Sequence, residues 1–312
     1  MLKFNSNFEI QDLGLIDEDV YDIEIEDNHN FFGNDILVHN SCYVNIEDIV
    51  DIMIPNWKDK DIHYVVDKID EFIKLVVDPQ VKTYCEDLVQ YLQAYKNKMV
   101  WEREIIAQSI ILVAKKNYCA SVWDSEGVRY RDHPKYKIVG FASKKSSTPK
   151  WSRQWLEEMY RIALDKDQLT LQQRFHEVEK EFYQLPVSEI SIPTGVNGLE
   201  KFYDEDQVYK KGAPAHVKAA LFHNKLLKDL NLKHLNPIAS ASKIRYVQLK
   251  EPNPLRADSI AFDEELPKEF GLDEYVDRQG IFNKAFVDPL TIVLNSINWT
   301  TEETITLESF FG

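Results

Sequence analysis

The chain has 312 residues, 44% of them apolar, and a formal net charge of −15, a size and composition that predict about two domains with ordinary buried cores. No apolar run approaches the ~18 residues of a membrane span and MLKFNSNFEI is no signal peptide, so a soluble, cytoplasmic protein with no membrane partner is expected. Cys42, Cys85 and Cys119 are odd in number and far apart, a pattern that argues for reduced thiols and against zinc or a disulfide framework.

The net charge argues against a nucleic-acid partner only if it is spread evenly, and it is not. Residues 1–40 carry −9 and residues 251–312 carry −9, whereas residues 130–153 and residues 201–250 each carry +6. Salt screens exposed charges beyond about 8–10 Å, so a phosphate backbone responds to the patch it meets. The acidity does not exclude DNA.

In chain order, residues 1–40 are rich in alternating segments such as Val20-Tyr21-Asp22-Ile23-Glu24-Ile25, which predict β structure. So short a segment is expected to complete its core with another polypeptide. Tyr43-Val44-Asn45-Ile46 predicts a further strand. Val65, Ile69, Phe72, Ile73 and Val76 then recur at helical spacing, Pro79 should interrupt that helix, and Val81, Tyr84, Leu88, Leu92 and Tyr95 predict a second. Residues 99–123 are strand-like, with Ile105-Ile106 and Ile110-Ile111-Leu112-Val113, so two helices under a sheet form an expected α+β unit. After residues 144–150 the pattern is largely helical: Trp155, Met159 and Ile162, then Phe175, Val178, Phe182 and Leu185. A helix is expected from near Pro214 past Leu227, and a lone strand over 243–250. No internal repeats or low-complexity tracts are expected.

The string VYDIEIEDNHNFFGNDILVHN, residues 20–40, followed by Ser41, resembles the C-terminal splicing blocks of inteins. The preceding stretch is too short for a whole intein, so the resemblance implies a split intein whose N-terminal half comes from another chain. In such chemistry the Asn40 side-chain nitrogen attacks its own backbone carbonyl, closing a succinimide and breaking the bond to Ser41. Well-oriented intramolecular attack of this kind reaches effective molarities on the order of 10⁵ M or more. His39 would donate a hydrogen bond to that carbonyl and His29 would act as general base. Asp22 would assist the preceding transesterification, and the Ser41 hydroxyl would accept the partner's acyl group before it shifts to the freed amine. No cofactor is needed. Each residue alone has an ordinary explanation as loop, surface or cap; the argument rests on their combination.

From Ser41 onward the chain resembles the C-terminal part of family B DNA polymerases of T-even-like tailed phages. The matches are Ser41-Cys42-Tyr43-Val44, Lys115-Lys116-Asn117-Tyr118, Ser146-Ser147-Thr148-Pro149-Lys150 and the closing Leu307-Glu308-Ser309-Phe310-Phe311-Gly312. The resemblance implies an α+β fold: residues 1–40 half of an intein, residues 41–150 the end of the palm, residues 151–312 a mainly helical thumb with a clamp-binding tail. In that family an Asp-Thr-Asp-Ser motif holds the catalytic metal ions. Here the polymerase portion starts at the Ser, so this chain should hold no metal, and the Mg²⁺ carboxylates should belong to the partner fragment, restored by splicing. Glu47 and Asp48 lie near the junction but are expected to be solvated strand-end charges.

Lys115, Lys116 and Tyr118 match a Lys-Lys-Arg-Tyr element that holds primer DNA, with Asn117 in place of the Arg; the alternative is a solvated basic strand end. Ser147, Thr148 and Lys150 suit phosphate contacts, or Ser147 or Thr148 caps a helix before Pro149. Lys211 and Lys218, with Lys210, His216 and Lys225 around them, resemble a thumb surface on the product duplex, though a basic helix face is often only solvated. Leu307, Phe310 and Phe311 would dock on a sliding clamp, or pack back on the thumb. The implied partners are the N-terminal fragment, primer-template DNA, dNTP and the clamp. A rival reading is a noncovalent DNA grip and clamp tether with a vestigial intein remnant.

Overall fold

The computed structural model describes residues 30–33, 36–39, 43–97 and 101–302, and these divide into two units on either side of the bond between Glu104 and Ile105. In the first unit β1 (Asn30–Gly33) and β2 (Ile36–His39) pair antiparallel, Asn30 opposite His39 and Gly33 opposite Ile36. The strand expected at Tyr43–Ile46 does not form; these residues are irregular and lead into α1 (Glu47–Met53), with Asn45 Oδ1 accepting from the Glu47 N–H at 2.9 Å. That local bond gives the backbone a partner without any neighbouring strand. Glu47 and Asp48 thus occupy the first turn of a helix rather than a strand end, and Glu47 pairs with Lys58 at 3.1 Å.

Asp61 starts α2 (Ile62–Phe72) by accepting from the His63 and Tyr64 N–H groups at 2.9 and 3.2 Å, the capping bond that a helix start requires. The break expected at Pro79 is absent. A π turn over Ile73–Val77 runs straight into α3 (Asp78–Tyr91), and Pro79 sits in the first turn of α3. In a regular helix the proline ring would collide with the carbonyl four residues back. The wider turn, in which the Asp78 N–H reaches the Ile73 carbonyl, gives the ring room.

From Ile105 onward the expected strand-like run forms, in the second unit, β3 (Ile105–Ala114) and β4 (Asn117–Ser125), joined at Lys115-Lys116. Two further strands, β5 (Val128–Arg129) and β6 (Lys135–Val139), complete an antiparallel sheet in which β4 pairs with all three others. The two expected helices belong to the first unit, whereas this sheet packs on a different helix, α4 (Lys150–Asp165). Ile111, Cys119, Ile138 and Phe141 from the sheet side share one core with Trp151, Leu156, Met159 and Tyr160 of α4. Cys119 and Cys85 are free and buried, and burial pushes the Cys119 thiol up to about 12, leaving it protonated and inert. Cys42 lies outside the described residues.

The remainder is more mixed than the helical pattern predicts. Asp167 caps α5 (Gln168–Gln184), and Arg174 of α5 ties back to Glu158 of α4 at 2.8 Å and to Glu181 at 2.7 Å. Then come α6 (Val187–Ile190), β7 (Ile192–Gly195), α7 (Leu199–Phe202), the short pair β8 (Tyr203–Asp204) and β9 (Val208–Tyr209), α8 (Ala215–Asp229), β10 (Lys243–Gln248) and β11 (Ser259–Phe262). The strand expected to stand alone is β10, and it is the middle of an antiparallel sheet ordered β7-β10-β11. Pro193, opposite Arg245, has no N–H to donate outward and confines β7 to the edge. The expected helix from Pro214 is α8; its Val217, Ala219, Ala220 and Leu221 build a second core with Ile244 and Ala261.

The chain then forms α9 (Arg278–Phe282), a π turn over Asn283–Val287 and α10 (Asp288–Asn295), with Pro289 in the first turn of α10. Lys284-Ala285-Phe286-Val287-Asp288-Pro289 repeats the Lys-x-x-Val-Asp-Pro pattern of residues 74–79, and the π turn recurs with it. Pro289 cannot return an N–H to Ala285, four residues back. Buried Ser152 of α4 supplies the donor instead, its hydroxyl reaching the Ala285 carbonyl at 2.6 Å.

His223 on α8 is buried, with Nδ1 2.8 Å from the Ala261 carbonyl and Nε2 3.4 Å from the Asn236 carbonyl. Burial lowers its pKa below the ordinary 6.5, against opposing contributions from those carbonyls and from Asp263. The unfolded chain therefore takes up a proton that the folded chain refuses, so stability is full above pH 6.5 and is lost as pH falls through the folded pKa. Urea midpoints measured from pH 8 to pH 5.5 should fall on the acid side, and His223→Asn, which keeps a donor toward Ala261, should flatten that fall.

Candidate nucleic-acid interface

The basic element predicted at residues 115–118 is the tight connection between β3 and β4. Lys116 is exposed and takes a left-handed backbone, φ +56°; Lys115 is half-buried, and Asn117 opens β4 with its side-chain amide directed at the Lys115 carbonyl, 3.4 Å away. Tyr118 lies opposite Leu112 on one side and Val139 on the other. Side chains alternate across a strand, so the Cys119–Ile138 pair faces α4 and Tyr118 faces away from it. Lys135 and Lys137 of β6 share the Tyr118 face; the Lys137 ammonium stands 6.0 Å from the Tyr118 ring centroid and that of Lys135 5.7 Å from the Tyr130 ring. On the α4 side, Tyr136 donates its hydroxyl to Asp165. Burial first, and then Asp165, push this phenol up to about 12.

The second predicted element lies just before and at the start of α4. Lys145, Ser146, Ser147 and Lys150 are exposed, while Thr148 and Pro149 are buried. Neither Ser147 nor Thr148 caps α4: Pro149 holds the cap position with no side-chain bond, and the Thr148 N–H donates to the Lys145 carbonyl at 3.1 Å. Pro149 cannot cap through its ring, and its fixed φ instead sets the entry angle of the helix.

The lysines of the third group are placed differently from one another. Lys211 is exposed ahead of α8. Lys218 pairs with Asp258 at 3.2 Å and lies 5.2 Å above the Tyr209 ring, and Lys225 pairs with Asp229. His39 is on β2. Asp22, His29, Asn40 and Ser41, like Leu307, Phe310 and Phe311, lie outside the described residues. Among the described residues no group of three or more His, Cys, Asp or Glu side chains converges, so they do not by themselves fit a divalent metal site. Nor is any described helix long and apolar enough to cross a membrane.

Three residues of the first element were not singled out by sequence reasoning: Lys135, Lys137 and Gly140. The alternation Lys135-Tyr136-Lys137-Ile138 inside a +6 segment was the available signal for the lysines.

A loop with two lysines, a neighbouring tyrosine and further lysines on the same sheet face is suited to phosphate and sugar contacts that carry no base information. No protein-family model matches the chain. It is 28% identical over 286 residues to the DNA-directed DNA polymerase of Enterobacteria phage T4 and 29% identical over 264 residues to that of Escherichia phage RB69. The chain is thus similar along most of its length to two phage DNA polymerases. The matches cover 88% and 80% of this chain but only 31% and 29% of the two polymerases, so the chain spans about a third of the length of its relatives.

For a basic loop meeting phosphates, each lost lysine contact should lower the slope of log K against log salt by about 1. Lys115→Ala and Lys116→Ala should therefore weaken duplex binding by the full chain and flatten its salt dependence. Lys218→Ala should have a small effect, since Asp258 offsets that charge at 3.2 Å; fluorescence anisotropy at several salt concentrations measures both.

Proposed function

We propose that this chain is the C-terminal part of a phage replicative DNA-directed DNA polymerase, joined to its N-terminal part by trans-splicing at Asn40/Ser41. In the joined enzyme residues 41–150 complete the palm and residues 151–312 form the thumb, gripping primer-template DNA. The Mg²⁺ ions that position dNTP and primer are assigned to carboxylates of the N-terminal part. Leu307, Phe310 and Phe311 are assigned to the sliding clamp. The observation that carries the reading is similarity along most of this chain to polymerases about three times its length. What lies upstream of Ser41 is then explained by the splicing residues Asp22, His29, His39 and Asn40.

The first unit supports a covering partner. Tyr84 and Tyr91, seven residues apart and so on one side of α3, are 69% and 62% exposed, and Leu75 in the preceding π turn is 69% exposed. Apolar exposure on one helix face, as at Tyr84 and Tyr91, favours an interaction surface. A folded piece of a larger enzyme has such faces where the missing portion would pack.

Intact mass spectrometry after mixing with the N-terminal fragment is the direct test. Ligation should produce a product longer than either chain and release residues 1–40, Asn40→Ala should abolish that release, and primer extension should require both chains. Two unchanged masses that co-purify and extend primers would instead favour the noncovalent grip and tether with a vestigial intein remnant. Deleting residues 307–312 should leave distributive extension intact and remove the gain in product length that the clamp provides; an undiminished gain would place the tail on the thumb.

A further inference from the structure

We infer that Gly140 is a positioning residue for DNA: its missing side chain lets the Lys115–Tyr118 connection settle on the end of β6, and this placement aims the two lysines. The inference rests on the DNA-contact reading of that loop. Gly140 follows Val139, the residue opposite Tyr118, and has φ +75°. A methyl group there would lie 2.0 Å from the Lys116 carbonyl oxygen and 2.3 Å from Asn117 Oδ1. Ordinary van der Waals separation is about 3.5 Å, so any side chain would force the turn away by roughly an ångström or more. The nearer atom is backbone, which cannot swing aside as a flexible side-chain tip does. Lys116 has little freedom to absorb the push within the turn, because its own φ of +56° is already in the sparsely populated left-handed region.

The position also links the two basic elements. Phe141, next in sequence, is buried and packs on Tyr160 of α4 with ring centroids 4.9 Å apart. Gly140 is thereby held between a fixed aromatic anchor and the lysine turn, so a group added at Gly140 has to displace the turn. The lysines would stay present and charged, yet no longer stand where the phosphates are.

Gly127 provides the control. It lies between β4 and β5 with φ +82°, and a methyl group there would meet nothing within 4 Å. Gly127→Ala therefore carries the same backbone penalty without the collision. In anisotropy titrations of the full chain with duplex DNA, Gly140→Ala should bind about tenfold more weakly, the loss of one or two phosphate contacts. It should also show the flattened salt slope of Lys115→Ala and Lys116→Ala. Gly127→Ala should match the parent in affinity and slope.

A second variant inserts one glycine between Lys115 and Lys116, lengthening the turn while keeping both lysines. It should lose affinity in the same way with an unchanged melting temperature, and it decides the matter even if Gly140→Ala does not fold. Parental affinity and slope in the insertion variant, with both lysine variants weakened, would overturn the positioning role while leaving the DNA contact standing. Parental binding by the lysine variants would overturn the DNA-contact reading itself.

Discussion

Trp151 sets where the second basic element stands. Its ring lies 4.8 Å from that of Phe182 and 5.4 Å from that of Trp155, with Phe282 and Phe286 at 6.3 and 6.4 Å. Pairs of this kind contribute about 0.5–1.5 kcal/mol each beyond the burial of their surface. Because Trp151 is the second residue of α4, its burial fixes the start of the helix. Thr148 and Pro149 are drawn inward, and Lys145, Ser146, Ser147 and Lys150 are left facing solvent. Apolar packing thus determines the placement of charge, and the same core reaches through Phe141 and Ile138 to the sheet that bears the lysine turn.

That coupling explains how an acidic protein presents a cationic surface. The net charge of −15 is weighted toward the two ends of the chain, while Lys116, Lys135 and Lys137 are placed by one antiparallel sheet. Within a Debye length of about 8 Å such a cluster is felt as local positive potential. In the α8 region charge is offset by design of the fold: Asp258 and Asp229 each sit against a lysine.

Long amphipathic helices were legible because their apolar residues repeat near 3.6: Trp155, Met159 and Ile162 fall on α4, and Phe175, Val178 and Phe182 on α5. The sheet around β10 was not, since β7 is four residues with a proline and all four residues of β11 are buried, leaving no alternation to read. Tyr43–Ile46 looked like a strand by composition, yet one asparagine bond turned it toward a helix. At the candidate interface, the lysines and Tyr118 were visible as residue types. Gly140 was invisible, because its role depends on contact with a turn distant in sequence.

The two Lys-x-x-Val-Asp-Pro segments place a π turn immediately before a proline in otherwise unlike helices. A π turn holds one residue more than its α counterpart and shifts the phase of everything that follows by about 100°. Excising one residue at either site would rotate the downstream face away from its packing partner and press the pyrrolidine against the backbone at once. Length and proline are consequently bound together there: descendants of this sequence can shed the extra residue only by shedding the proline with it, and in the second helix Ser152 would then lose its reason to be serine.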